Sequence, residues 1–234
     1  MTHNVHGSDP GPLIGTGRAA DVFDLGGQRV LRRNRDGTST AVEAAVMRHA
    51  RSHGFPVPEV FDTSGADLVM ERITGPTMLE AFAARPWKVR QFAATLAELH
   101  TRLAAIPMPN LDLPSVWGRR ETLVHGDLHP DNVMYGANGP LVIDWSNVRC
   151  DPLGSEVANT WLIVASSEID GGLATRSVGR AGRSLFLKLF LARCDTESAR
   201  TLLSAAADHR LTDPNLRPSE TAAIRAIVKA EARD

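Results

Sequence analysis

The sequence predicts an α+β fold, a small antiparallel sheet at the N-terminal end followed by a mostly helical portion, on three observations. From Leu13 to Arg33 the short pieces Leu13-Ile14, Asp21 to Leu25 and Gln28 to Arg33 are separated by glycines, and Gly26-Gly27 sits where a hairpin would turn. From Pro86 to Leu103 the residues Val89, Phe92, Leu96, Leu99 and Leu103 recur at alternating spacings of three and four, the stripe of a core-facing helix. From Leu153 to Lys229 helical patterning continues, with breaks at Gly171-Gly172 and Asp213-Pro214.

Each element has a local reason. Residues 1 to 12 are polar and rich in Gly and Pro, which predicts a loose arm. After the hairpin and the loop Asn34 to Thr38, the stretch Thr40 to Arg51 is Ala-rich with Val42, Val46 and Met47 on one side, a helix. Phe55-Pro56-Val57-Pro58 ends it, because proline lacks the donor a helix needs. Glu59 to Phe61 and Asp67 to Met70 are strands around the Ser64-Gly65 turn. Beyond a Pro-rich connection (Ile106 to Pro114), Thr122 to Val124, Val133 to Tyr135 and Leu141 to Ile143 are short strands, the last two joined by a turn over Gly136 to Gly139.

Composition excludes several classes. With 43% apolar and 23% charged residues in 234, the chain can bury a core, and wholesale disorder is excluded. A net charge of −1 gives no overall attraction to nucleic acid or anionic lipid, so neither is an expected partner. Cys150 and Cys194 form no CxxC or Cys/His pattern, which argues against a disulfide scaffold or structural zinc and fits a reduced, cytoplasmic setting. The N-terminus lacks a basic start followed by an apolar stretch, and no apolar run approaches ~18 residues, so neither export signal nor membrane span is expected. Of the 26 basic residues only Lys88, Lys188 and Lys229 are lysine, leaving 23 arginines. Chemistry that needs a lysine must use one of those three.

The chemistry is concentrated in HGDLHPDN at 125 to 132 and LVIDW at 141 to 145. Asp127 and Asn132 lie five apart on a segment that Pro130 keeps out of regular structure, and Asp144 follows nine residues after Tyr135. Phosphoryl transfer needs such a set: one carboxylate to orient the attacking hydroxyl and take its proton, and an amide oxygen and a second carboxylate to hold Mg²⁺. The HxDLxxxN pattern resembles the catalytic loop of eukaryotic-type kinases, and its His-Gly-Asp form followed by Ile-Asp-Trp is similar to the aminoglycoside phosphotransferase and choline kinase-like family. The resemblance implies a bilobal protein kinase-like fold, with a nucleotide-binding lobe over 1–71 and a helical lobe over 72–234 that carries the catalytic loop and acceptor site. It implies transfer of the γ-phosphoryl group of ATP, or GTP, to a hydroxyl of a small molecule. Asp127 is then the base, Asn132 and Asp144 are Mg²⁺ ligands, and His125 is a structural partner of the loop. Trp145 departs from the Asp-Phe-Gly of protein kinases.

The N-terminal part supplies counterparts under the same scheme. GTGRAADV at 15 to 22 stands where a phosphate-covering loop belongs, with Gly15 and Gly17 permitting close backbone approach and Ala20 in place of a third glycine. In VLRR at 30 to 33, strand periodicity puts Val30 and Arg32 on one face, Val30 toward adenine and Arg32 toward the phosphates, with Arg33 opposite. No lysine precedes position 88, so Arg32 takes the phosphate-gripping role. Glu43 is either its ion-pair partner or, with Thr40, half of a capping box. Met70, Glu71 and Ile73 belong to a hinge whose backbone would pair with the adenine edge. His100, in the striped helix, reads as a packed, hydrogen-bonded residue, and Asp151 and Glu156 as acids opening the helix after Trp145 and bracing the site.

Two other function classes compete. A nucleotide-binding module without transfer is suggested by the arginine at position 32 and the imperfect glycine loop. A metal-dependent hydrolase would use His125, Asp127, His129 and Asp131 as ligands, but leaves Asn132, Asp144 and the glycine loop without a role. The acceptor is not specified. The residues from Asp151 to Asp234 hold eleven acids and eleven bases, a balance that argues weakly against a polycationic aminoglycoside.

Overall fold

The computed structural model describes residues 10–17, 19–168 and 173–232; residues 1–9 of the N-terminal arm, Arg18 and the Gly171-Gly172 break lie outside them. The elements in chain order are β1 (Leu13–Thr16), β2 (Ala20–Gly26), β3 (Arg29–Asn34), α1 (Ala41–Ser52), β4 (Val60–Ser64), β5 (Asp67–Glu71), α2 (Met78–Ala84), α3 (Val89–Ala104), β6 (Thr122–Val124), β7 (Val133–Gly136), β8 (Gly139–Val142), β9 (Arg149–Asp151), α4 (Ser155–Ser166), α5 (Leu173–Leu191), α6 (Thr196–Arg210) and α7 (Pro218–Glu231). No described helix is long and apolar enough to cross a membrane.

The chain divides into two compact units: Met1–Gly75 with Met134–Ser146, and Pro76–Val133 with Asn147–Asp234. In the first, an antiparallel sheet has the order β1-β2-β3-β5-β4, with Val30 opposite Met70 and Arg32 opposite Leu68. Val30, Leu31, Leu68 and Val69 are buried in it, as are Ala44, Val46, Met47 and Ala50 of α1. The IDW segment returns to this unit: Val142 donates its N–H to the Pro56 carbonyl at 2.8 Å, and buried Trp145 meets Phe55 edge-on at 5.7 Å. Gly75 is required by a close approach, because a Cβ there would collide with the Tyr135 carbonyl.

In the second unit every residue of the predicted α3 stripe is buried, and α3 packs against α5. His100 is buried there, bonded to the Leu96 carbonyl at 2.8 Å and to Thr160 Oγ1 at 3.0 Å, and burial lowers its pKa. α4 is buried on almost every residue and contacts α5, α6 and α7, so it is the central helix of the unit. β9 was not predicted, since three residues reading Arg-Cys-Asp carry no strand pattern, yet it pairs antiparallel with β6, Thr122 opposite Asp151. Asp151 therefore ends a strand instead of opening a helix. Its carboxylate accepts from Ser115 Oγ at 3.0 Å, the Val116 N–H at 2.8 Å and Arg149 Nε.

Candidate active site

In the first unit Arg32 projects from β3 and is almost fully buried, its side chain 8% exposed. Nη2 donates to Glu43 on α1 and to Asn34 Oδ1 at 3.3 Å, and Nη1 donates to Asp144 Oδ1 at 3.1 Å. The ion pair, one of the two alternatives for Glu43, is the one formed. The capping box is not: the Thr40 hydroxyl bonds Thr63 Oγ1 at 2.6 Å and the Asp67 carbonyl at 2.8 Å. Burial pushes the Glu43 carboxyl up to about 7; the Arg32 charge opposes this rise and the Asp144 charge adds to it. Arg33, on the opposite face, forks onto Asp67 at 2.6 and 2.7 Å. Arg32 Nε is buried with no hydrogen-bond partner among the described residues.

Asp144 lies two residues beyond β8 and has φ +60°, a left-handed conformation that aspartate tolerates better than most residues. Ser146 Oγ donates to the same Oδ1 that Arg32 reaches, at 2.8 Å. Gly15 and Gly17 flank the end of β1. A Cβ at Gly15 would meet Val22 at 3.8 Å and one at Gly17 the Ala20 carbonyl at 3.4 Å, so the fold itself does not demand glycine at either. Arg35 anchors the turn, donating to the Gly17 carbonyl at 2.8 Å and Asp21 Oδ1 at 2.9 Å. Val30 is buried beside Met70, its register partner. The Glu71 N–H donates to the Glu59 carbonyl at 2.8 Å and the Arg72 N–H to the Gln28 carbonyl at 2.9 Å, and Ile73 follows immediately.

In the second unit the catalytic-loop motif forms one turn of 3₁₀ helix, Pro130–Asn132, where the sequence suggested only a loop; proline opens the turn, a position in which its missing N–H costs nothing. The turn brings Asn132 back onto Asp127: Asn132 Nδ2 donates to the Asp127 carbonyl at 2.9 Å and to Oδ2 at 3.2 Å. His129 Nε2 lies 3.5 Å from Oδ2, and Arg210 Nη1, from the last turn of α6, lies 3.9 Å from Oδ1. Burial works against charge on Asp127, but the hydrogen bond and charge of His129, with the charges of His125 and Arg210, outweigh it and hold the carboxyl at about 2. Asp127 is thus an ionised acceptor at neutral pH. His125 is fully buried, and its Nδ1 accepts the Asp127 N–H at 3.3 Å.

The donor chemistry fits magnesium better than a transition metal. In the second unit the Asn132 amide nitrogen is committed to Asp127, which leaves its oxygen as a hard donor, and in the first unit Asp144 carries carboxylate oxygens, which are hard donors as well. Among the described residues no three His, Cys, Asp or Glu converge as a metal cage.

A model of a phosphotransferase enzyme family matches residues 12–117 and 103–189. The chain belongs to that family. It is an enzyme, a phosphotransferase of protein kinase-like fold. A comparison with curated proteins found no match. Among solved structures, aminoglycoside phosphotransferase APH(4)-Ia is 20% identical with a TM-score of 0.64, over 95% of this chain and 92% of that one. A choline/ethanolamine kinase family protein from Mesorhizobium loti is 16% identical with a TM-score of 0.57, over 96% and 89%. The amicoumacin kinase hAmiN, solved in complex with AMP-PNP, Ca²⁺ and Ami, is 15% identical with a TM-score of 0.55, over 96% and 88%.

Sequence reasoning missed how this phosphotransferase holds its loop. Glu156 does not simply face the end of its own helix: Oε2 accepts the Gly126 N–H at 2.8 Å and Oε1 the Leu128 N–H at 3.0 Å. Asn159 Nδ2 donates to the Gly126 carbonyl at 2.6 Å, and Thr160 Oγ1 to the Leu128 carbonyl at 2.6 Å. Their spacing of three and four puts all three on one face of α4, and that spacing was the available signal. Gly126 has φ +82°, and a Cβ would strike the Asn147 carbonyl and the Arg149 guanidinium, which explains glycine between His125 and Asp127. Glu156→Gln replaces one acceptor oxygen with a donor and leaves one buried loop N–H unpaired. The expected cost is about 1–3 kcal/mol, read as a loss of roughly 2–4 °C in Tm per kcal/mol. An unchanged melting curve would show that the clamp carries no stability.

Proposed function

We propose that the chain transfers the γ-phosphoryl group of ATP to a hydroxyl of a small-molecule acceptor. The observation that supports this reading is Asp127, ionised and clasped by Asn132, in the His-Gly-Asp segment whose resemblance to the kinase loop implies a base at this position. The acceptor oxygen attacks the γ-phosphorus, the bond from that phosphorus to the β–γ bridging oxygen breaks, and ADP leaves as the proton passes to the Asp127 carboxylate. Mg²⁺ bound by Asn132 and Asp144 would neutralise charge on the phosphates.

Arg32 takes the role of the missing lysine, and its unpartnered Nε is a donor that a phosphate oxygen would satisfy. Glu43 orients it. Gly15 and Gly17 admit the phosphates close to backbone N–H groups, and Val30, Met70, Glu71 and Ile73 form the adenine side. Residues 1–71 carry the nucleotide functions and 72–234 the catalytic loop and acceptor site. Consumption of ATP and two unpaired cysteines fit a cytoplasmic enzyme.

Purified protein with Mg²⁺ and ATP, or GTP for comparison, is assayed for nucleoside diphosphate release over sugars, amino alcohols and macrolides. Acceptor-dependent release above the rate without acceptor is expected. Nucleotide binding with no release on any acceptor would instead support the non-transferring module that an arginine at position 32 suggests.

A further inference from the structure

The last 70 residues carry no sequence motif, yet one of them reaches the catalytic loop. Arg210 ends α6 with its side chain 14% exposed, and its guanidinium lies 3.9 Å from Asp127 Oδ1. The two oxygens of the base therefore have different surroundings. Asn132 and His129 attend Oδ2, whereas the guanidinium lies beside Oδ1. The helix C-terminus alone would favour a cation in this last turn, but an exposed side chain would serve that purpose. Here the charge is withdrawn from solvent and set against the loop. The preceding residue, His209, meets Trp117 edge-on at 6.2 Å, and the Arg149 guanidinium lies 5.7 Å from the same ring centroid. Asp151, the acid nearest Arg149, is already committed to Ser115, Val116 and Arg149.

We propose that Arg210 is an acceptor-selecting residue, reading a carboxylate or phosphate carried next to the hydroxyl that Asp127 deprotonates and disfavouring acceptors with an ammonium group there. This rests on the phosphotransfer reading and narrows its acceptor class. A hydroxyl hydrogen-bonded to Asp127 brings its neighbouring substituent within reach of the guanidinium, whose planar fork suits two anionic oxygens. An ammonium in the same place meets like charge in partly desolvated surroundings.

The test uses probes that share a polyol chain and differ in one terminal group: gluconate, gluconamide and glucamine, with glycerate, glyceramide and 3-aminopropane-1,2-diol as a shorter series. Turnover with ATP and Mg²⁺, and thermal shift of the full chain with each probe, are measured for wild type, Arg210→Gln and Arg210→Lys. Wild type is expected to prefer the acid over the amide in each bound series by about tenfold or more, with the ammonium probe last. The preference should vanish in Arg210→Gln and partly survive in Arg210→Lys, with both variants melting as folded proteins. A preference that survives Arg210→Gln overturns the proposal, as does selection of the ammonium probe or a wild type that binds no acid. A fall in turnover equal for all probes also overturns it, placing Arg210 on the transferring group. If acids bind through Arg210 but nothing is phosphorylated, the selecting role stands and the phosphotransfer reading fails. If a cationic probe is phosphorylated and acids are ignored, the reverse holds.

Discussion

Asp127→Asn is expected to lower kcat by about 10²–10⁴-fold on the best acceptor while leaving KM for ATP within a fewfold, the pattern of a lost general base. The substitution keeps the shape and both Asn132 contacts available, so geometry is largely preserved while basicity is removed. It also removes an ionised group that the fold favours. The folded-state pKa of Asp127, about 2, lies below its ordinary value of 3.8. Its contribution is therefore fully present above pH 3.8 and is lost as pH falls toward 2. At neutral pH the loss on Asp127→Asn is about 2 kcal/mol, and the gap between wild type and variant should close in acid. Denaturant unfolding at pH 7 and pH 3 measures the second effect, and steady-state kinetics the first. Full activity in the variant would remove Asp127 from the chemistry.

What could be read in the sequence and what could not separate along physical lines. The five-stranded sheet, α1 and α3 were legible because glycine punctuation and three-four spacing are local signals. The pairing of Arg32 with Glu43 was legible as one of two alternatives. Distance along the chain could not choose between them, because the choice depends on Thr63 and Asp67 taking the Thr40 hydroxyl away from the helix end. The strand Arg149–Asp151, the Glu156 clamp and the approach of Arg210 to Asp127 were not legible. Each joins residues far apart in sequence, 30 positions for Glu156 with Gly126, and even the three-four spacing of Glu156, Asn159 and Thr160 marks a face of α4 without naming what that face holds. Glu156 and Asp151 were recognised as bracing acids, yet Glu156 holds the backbone N–H groups of Gly126 and Leu128, and Asp151 holds the Val116 N–H together with the Ser115 and Arg149 side chains.

Arg32→Ala should lower kcat/KM for ATP by about 10–100-fold, since a charge-assisted contact to a phosphate contributes roughly 1.5–3 kcal/mol. The fold's response is less simple than the removal of one partner from a buried ion pair, because Glu43 need not remain charged. With a folded-state pKa of about 7 against an ordinary 4.5, Glu43 already gives a stability that is highest below pH 4.5 and declines as pH rises through 7. Arg32 is the nearest charge holding that value down, so its removal moves the midpoint higher and extends the decline above pH 7. The variant should therefore lie close to wild type in stability at pH 5 and fall away from it at pH 8, whereas Glu43→Gln should flatten the slope in this window. Arg32→Lys distinguishes charge from reach. A single ammonium cannot reproduce the two Nη atoms that meet Glu43, Asn34 and Asp144 together, nor the extra Nε donor. Nucleotide affinity of Arg32→Lys should fall between alanine and wild type. Wild-type affinity and turnover in Arg32→Ala would show that the phosphates are gripped by another residue.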